Sequence, residues 1–154
     1  MNIPVDKNRS WVAGLHEGIQ LLDRDRQRAI MQPAGAACAT DLISLCAKYL
    51  GKEVRSLEDL VTGWNALREK RNLQGRWVFE GGGIRGIFGE CGCPLVRSGL
   101  IELHPVQCYC SQGMMETIFS RVTGRAVEVE IGRAIGRGDE VCDFFVNFES
   151  PRPD

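Results

Sequence analysis

Apolar positions recur at spacings of three and four through the first seventy residues. Ser10 is placed to cap a helix whose Trp11, Leu15, Ile19 and Leu22 fall at i, i+4, i+8 and i+11, a single apolar stripe. Residues 26–31 predict a second helix, cut by Pro33 and Gly35. Leu42, Ile43, Leu45, Cys46, Tyr49 and Leu50 predict a third that Gly51 stops. Ser56 caps a fourth, which carries Leu57, Leu60, Val61, Trp64 and Leu67 and has Glu58 and Asp59 in its first turn, where the helix dipole favours acids. Around Gly75 the period changes. Residues 76–80 and 84–88 are short apolar runs bounded by glycine, the pattern of a hairpin. One more helix follows, with Ser111 as its cap, Met115, Ile118, Phe119 and Val122 as its apolar positions and Gly124 as its stop. Val127, Val129 and Ile131 then alternate with Glu128 and Glu130. After a turn at residues 136–139, Cys142, Phe144, Val146 and Phe148 alternate with Asp143, Phe145 and Asn147. The expected fold is α+β: N-terminal helices (10–72) packed on a C-terminal antiparallel sheet (76–148) with one long inserted helix, in one domain over 1–149 followed by a tail at 150–154.

Composition narrows the function classes. The chain has 154 residues, 19 Lys and Arg against 20 Asp and Glu, and a net charge of −1. Cut at Gly75, the halves hold 11 basic and 9 acidic, then 8 basic and 11 acidic residues, so neither half has the basic footprint of a nucleic-acid binder. The longest stretches without a charged residue, 30–40 and 103–115, are too short and too broken by Pro, Gly or His to span a membrane. The first residues show no apolar leader, and the expected compartment is cytoplasmic. With that compartment, seven cysteines read as thiols rather than as a disulfide framework.

Two C-x-C pairs, Cys91-Gly92-Cys93 and Cys108-Tyr109-Cys110, are the chemically distinctive feature. Thiolates select zinc and other thiophilic metals, and Cys91, Cys93, Cys108, Cys110 and Cys142 are the candidate ligands. A redox thiol pair and inert buried cysteines are the competing readings. Residues i and i+2 of a strand point to opposite faces, so joint ligation needs a bent backbone, which Gly92 and Pro94 permit. Cys110, ahead of Ser111 and Gly113 at the predicted helix start, is the best nucleophile candidate, because a helix N-terminus lowers a thiol's pKa. His104 and Glu116 are the candidate proton carriers, with His16 on the first helix. Cys142 is expected to face the core, and Cys38 and Cys46 to be small core residues of helices. Gly81 to Gly86 matches G-x-G-x-x-G, but the glycines that follow argue against a helix there and for a hairpin turn. The stretch also resembles the glycine loop of patatin-like lipases, whose G-x-S-x-G nucleophile motif is absent. Met114, Met115, Ile118, Phe119 and Phe144 are the candidate walls of an apolar pocket, and equally of an ordinary core.

From Cys91 to Phe148 the sequence carries C-x-C-P, Cys108-Tyr109-Cys110-Ser111-x-Gly113, Gly124-Arg125-Ala126-Val127-Glu128-Val129-Glu130 and Arg137-Gly138-Asp139-Glu140-Val141-Cys142-Asp143-Phe144. This resembles the 4-vinyl-reductase-type, or hydrocarbon-binding, domain group, and within it a prokaryotic set with a C-Y-C-S motif. The helical half is similar only through Arg28-Ala29-Ile30-Met31 and Gly35-x-x-Cys38-Ala39. The resemblance implies a ligand-binding α+β domain that takes a small apolar or heterocyclic molecule, as a sensor or binding module. Phenol-sensing relatives hold zinc through cysteines at positions matching Cys110 and Cys142; the strand cysteine would fall near Ala134, so ligands from Cys91, Cys93 or Cys108 would replace it. The Gly138-Asp139-x-x-Cys142-Asp143-Phe144 ending is also similar to the L-2-amino-thiazoline-4-carboxylic acid hydrolase family. That similarity implies the alternative of a cysteine- or metal-dependent hydrolase of small cyclic amides using Cys110, His104 and Glu116, although Ser111, Gln112 and Gly113 depart from the acid that follows the family's central cysteine. A homodimer is compatible with either reading, and a subunit of a larger complex would show an exposed apolar patch.

Overall fold

The computed structural model describes residues 5–148; the expected tail at 150–154 lies outside them. Four helices come first: α1 (Val5–Gln20), α2 (Arg24–Ala37), α3 (Ala39–Leu50) and α4 (Leu57–Lys70). The hairpin of β1 (Trp77–Glu80) and β2 (Gly83–Phe88) leads through the short α5 (Pro94–Arg97) to the long α6 (Gln107–Thr123). β3 (Glu128–Arg133), a 3₁₀ turn at Ile135–Arg137 and β4 (Cys142–Asn147) complete the chain. All pairings are antiparallel in the order β1-β2-β4-β3, so the α+β expectation holds. Glycines 81 and 82 have φ of 52° and 77°, the two positive values of a type I′ turn; the glycine motif is a hairpin tip. Ser56 Oγ accepts the Asp59 amide at 3.1 Å, and Gly51 and Gly124 end their helices in the left-handed conformation, as expected.

Four local expectations are corrected. The first helix starts at Val5, not at a Ser10 cap. Its stripe is only partly covered: Trp11 is 67% exposed and Leu15 is exposed, Ile19 and Leu22 are half-buried, and His16 is buried. Asn8 Nδ2 donates to Leu100 O at 2.6 Å and Arg9 pairs with Glu102 at 3.1 Å, contacts that hold α1 on its polar side. Second, α2 runs through Pro33, because Pro33 and Ala29 are both exposed and the carbonyl left without its helical donor can be hydrated. Third, α6 starts at Gln107, so Ser111 is not a cap but an interior residue. Fourth, Cys38 joins α2 to α3 and is exposed, whereas Cys46 is fully buried.

α2 and α6 cross with their backbones almost touching. A Cβ at Gly35 would lie 1.8 Å from Cys110 O, and one at Gly113 would lie 2.5 Å from Gln32 O. Each helix therefore contributes a glycine to the crossing. The core lies between α3, α4, α6 and one face of the sheet, where Leu60, Trp64, Trp77, Ile84, Ile118, Phe119, Val129 and Val146 are buried. Among the described residues no single helix is long and apolar enough to cross a membrane; α2 and α3 reach that length and composition only together, bent by 41°.

Candidate functional site

The interior between helices and sheet is lined by aromatic rings. Trp77 sits at its centre, with ring centroids 5.2 Å from Trp64, 5.4 Å from Phe119 and 5.1 Å from Phe88, the last two edge-on. Phe144 lies 6.1 Å from Phe88, and Phe148 lies 6.0 Å from Phe119. Local sequence puts these rings together. Trp77 opposes Gly86 across the hairpin, and a Cβ at Gly86 would lie 2.4 Å from Phe88 and 2.9 Å from Trp77. Gly86 is thus the slot in which the two rings meet.

Trp77 is clamped through its backbone. β1 is an edge strand, and Asn65 of α4 fills the outward valences of Trp77: Oδ1 accepts the amide at 2.7 Å and Nδ2 donates to the carbonyl at 2.9 Å. The indole is different. Trp77 is 2% exposed, and its Nε1–H is buried without an acceptor. Sequence reading marks Trp77 as a strand residue but cannot show an unpaired donor, because that property depends on what the fold brings near it.

Arg68 stacks on Phe88. It is buried, its guanidinium lies 3.9 Å from the Phe88 ring centroid, and it donates to Gly75 O at 3.2 Å and Gln74 O at 2.7 Å. Desolvation lowers its pKa to about 10, against the opposing influence of Glu90.

The expected pocket residues share this interior. Met115, Ile118, Phe119 and Phe144 are buried in the same cluster, with Met114 packed at its margin. The rings stand at contact distance, so admission of a ligand requires side chains to move, and methionines are the most adaptable members of the wall.

Cys91, Cys108 and Cys142 gather at one end of the fold. Cys142 pairs in register with Phe88, three residues before Cys91, and its sulfur accepts the Ile135 amide at 3.4 Å. Cys108 Sγ packs on the next residue of that turn, 3.2 Å from where a Cβ at Gly136 would lie. Cys91 and Cys93 are both half-buried, and burial raises the Cys91 pKa. Cys110 feels the charges of Cys38 and Cys93. Among the described residues, however, no three His, Cys, Asp or Glu side chains are arranged to hold a metal ion.

No hydrogen bond joins the hydrolase candidates among the described residues. Cys110 lies within α6, one turn past its start, and burial pushes its thiol up to about 11, the opposite of the expected helix-dipole effect. His104 packs on His16 at 5.3 Å and accepts the Val106 amide on Nδ1. Burial, then the neighbouring His104, hold His16 below the usual histidine range. Glu116 is turned to Arg28 at 3.2 Å, Gln32 at 3.3 Å and the Val129 amide at 3.3 Å. With Gln112, which donates to Val129 O at 2.8 Å, it covers the free edge of β3. Desolvation raises its pKa despite Arg28. Neither His104 nor Glu116 hydrogen-bonds the Cys110 sulfur.

Two open grooves lie elsewhere. One of about 710 Å³ runs over the outer sheet face beside Arg85, Asp143 and Phe145, and one of about 1020 Å³ follows the β1 edge beside Asn65 and Phe79. Both are solvent-facing, and neither is lined by the five expected pocket residues.

No family model and no curated protein matches the chain. Solved structures do. A crystal structure of the phenol-responsive sensory domain of the transcription activator PoxR with phenol superposes with a TM-score of 0.54 at 14% identity, covering 90% of this chain and 73% of that one. Trafficking protein particle complex subunit 3 from Naegleria fowleri, covalently bound to palmitic acid, superposes with a TM-score of 0.61 at 12% identity, covering 97% and 95%. The chain therefore shares its fold with a phenol-responsive sensory domain and with a trafficking-complex subunit that was solved with covalently bound palmitic acid.

Proposed function

We propose that this chain is a ligand-binding or sensing module that takes a small molecule with an apolar body into the aromatic interior between α4, α6 and the sheet. The observation that carries the reading is the Trp77 indole, a buried donor without an acceptor, surrounded by Trp64, Phe88 and Phe119. An apolar wall with one unspent polar group is the composition of a small-molecule site, the wall supplying affinity and the donor orientation. Met115, Ile118, Phe119 and Phe144 form the wall in this reading. The neighbours of the same fold, one with phenol and one with palmitate, support the class of ligand.

Titration with phenol, naphthalene-1-methanol and palmitate, followed by tryptophan emission and by thermal shift, tests it. Binding at 100 times the dissociation constant stabilises the fold by about 2.7 kcal/mol, a readily measured rise in melting temperature. Trp77→Phe should weaken hydroxylated ligands and leave purely apolar ones nearly unchanged. Absence of any shift with all three ligands would refute the proposal.

A further inference from the structure

The groove on the outer face of the sheet holds a buried acceptor that the protein leaves unsatisfied. Gln112 lines this groove and is 8% exposed, and its Oε1 is buried with no hydrogen-bond donor among the described residues. The orientation of the amide is fixed, because Nε2 donates to Val129 O at 2.8 Å and a reversed amide would set oxygen against oxygen. Four carboxylates, Glu80, Glu128, Glu130 and Asp143, line the same groove with a single guanidinium, Arg85. That cation is already spent: Nε and Nη2 donate to Asp143 at 3.0 Å and 2.8 Å, and Nη1 lies 3.6 Å from Glu80. Asp143 also pairs with Arg133 at 3.6 Å. The carboxylates of Glu128 and Glu130 are exposed and make no hydrogen bond or ion pair among the described residues.

Strand register sets these groups beside an aromatic ring. Glu130 pairs with Phe145 on β4, and Phe145 with Arg85 on β2, so the three side chains stand in a row on the face opposite Val129 and Val146. Glu128 lies two residues along β3 on the same face. The volume of about 710 Å³ is that of a small-molecule site. An acceptor without a donor and two unpaired carboxylates select a ligand that brings N–H groups and positive charge, and Phe145 offers its apolar part a surface. An anion is repelled by Glu128 and Glu130, and a neutral donor leaves their charge uncompensated. We propose that this groove is a second ligand site that binds a small organic cation of amine or amidine type, its N–H groups donating to Gln112 Oε1 and to the Glu128 and Glu130 carboxylates. The site is independent of the aromatic interior, because the sheet lies between the two.

Benzamidine, benzamide and benzoate share one shape and are cationic, neutral and anionic at neutral pH. Titration of the isotope-labelled protein with each, followed by NMR, reads both the affinity and the place of binding. The Gln112 side-chain amide and the Gly132 backbone amide report the groove, and the Trp77 indole N–H reports the interior. Benzamidine should move the Gln112 and Gly132 signals and bind about tenfold or more tightly than benzamide, the worth of one charge-assisted hydrogen bond. Benzoate should leave both signals in place. Glu128→Gln combined with Glu130→Gln should erase the preference for the cation; both side chains are exposed and unbonded, so the melting temperature should hold. Equal binding of benzamidine and benzamide, movement of the Trp77 signal alone, an undiminished preference in the double variant, or no movement of any signal each overturns the site. The first three of these leave the reading of the aromatic interior standing.

Discussion

Replacing Gly35 by Ala sets two physical rules against each other. Gly35 is an interior residue of α2, and alanine is the better helix former by about 0.5–1 kcal/mol, so local propensity predicts a more stable protein. Packing predicts the reverse. The added methyl would lie 1.8 Å from Cys110 O, 2.8 Å from Cys110 C and 2.8 Å from Met114 N, all backbone atoms of α6 that no rotamer change can move. Relief requires α2 and α6 to separate by roughly 1 Å or more along their crossing, which places the cost at the upper end of overpacking, about 3 kcal/mol before the propensity gain. The net loss of about 2 kcal/mol corresponds to a fall of about 4–8 °C in melting temperature for a chain of this size. Gly18→Ala is the internal control, since a Cβ there meets nothing within 4 Å and should raise stability by the propensity term alone. Urea unfolding of both variants, read by far-UV circular dichroism, gives the sign in each case. If Gly35→Ala proves as stable as Gly18→Ala, the helix crossing is not the tight contact described, and the position of Cys110 over α2 loses its basis.

Asn65→Ala should cost about 2–3 kcal/mol in the same assay, because it removes two hydrogen bonds and leaves the amide of the buried Trp77 unpaired; it should also broaden Trp77 emission. Asp143 is held below the usual carboxylate range mainly by its hydrogen bonds from Arg85, so its contribution is present above the unfolded carboxylate pKa and is lost as pH falls through the lowered value. Asp143→Asn should flatten the acid limb of a stability-pH curve. Glu116 has the opposite sign: its raised pKa makes its contribution greatest below the unfolded value and lost as pH rises through the folded one, so Glu116→Gln should remove a decline on the alkaline side of that window. Burial pushes Cys46 up to about 12 and Cys110 up to about 11, whereas Cys38 is exposed. Timed alkylation at pH 8 with peptide mass analysis should therefore label Cys38 before Cys110, and Cys46 only on unfolding; early labelling of Cys46 would contradict the packed core.

The class and order of elements were legible because period and punctuation agree in most of the chain. Ser56, Gly51 and Gly124 sit where their side chains, or lack of one, meet a local backbone demand, and the alternation after Gly124 has a single solution with one buried face. The misreadings have one source: a local signal overruled by a tertiary one. Pro33 is tolerated because its side of α2 is exposed. Trp11 and Leu15 stay outside because α1 is fastened through Asn8, Arg9 and His16. Ser111 looked like a cap because it precedes Gly113, yet Gly113 is there for the approach of Gln32.

The same distinction separates the two kinds of candidate site. Cysteine spacing can be read from the chain, and it did locate a real feature, since Cys91, Cys108 and Cys142 come to one end of the sheet around the Ile135–Arg137 turn. Spacing carries no information on whether a thiol is solvated, and burial is what moves Cys110 away from nucleophilic behaviour. Arg68 and Trp77 show the converse. In sequence one is a charge near the end of an amphipathic helix and the other an aromatic in a strand, each with an ordinary structural explanation. Only the fold buries both beside Phe88 and leaves Nε1 of Trp77 without an acceptor. An unpaired donor in an apolar interior costs about 1–3 kcal/mol, and a protein that retains one on an aromatic wall has stability to recover when an acceptor arrives. That makes ligand binding and folding stability two readings of the same group: a ligand that satisfies the Trp77 donor should stabilise the fold more than one of equal apolar area that does not.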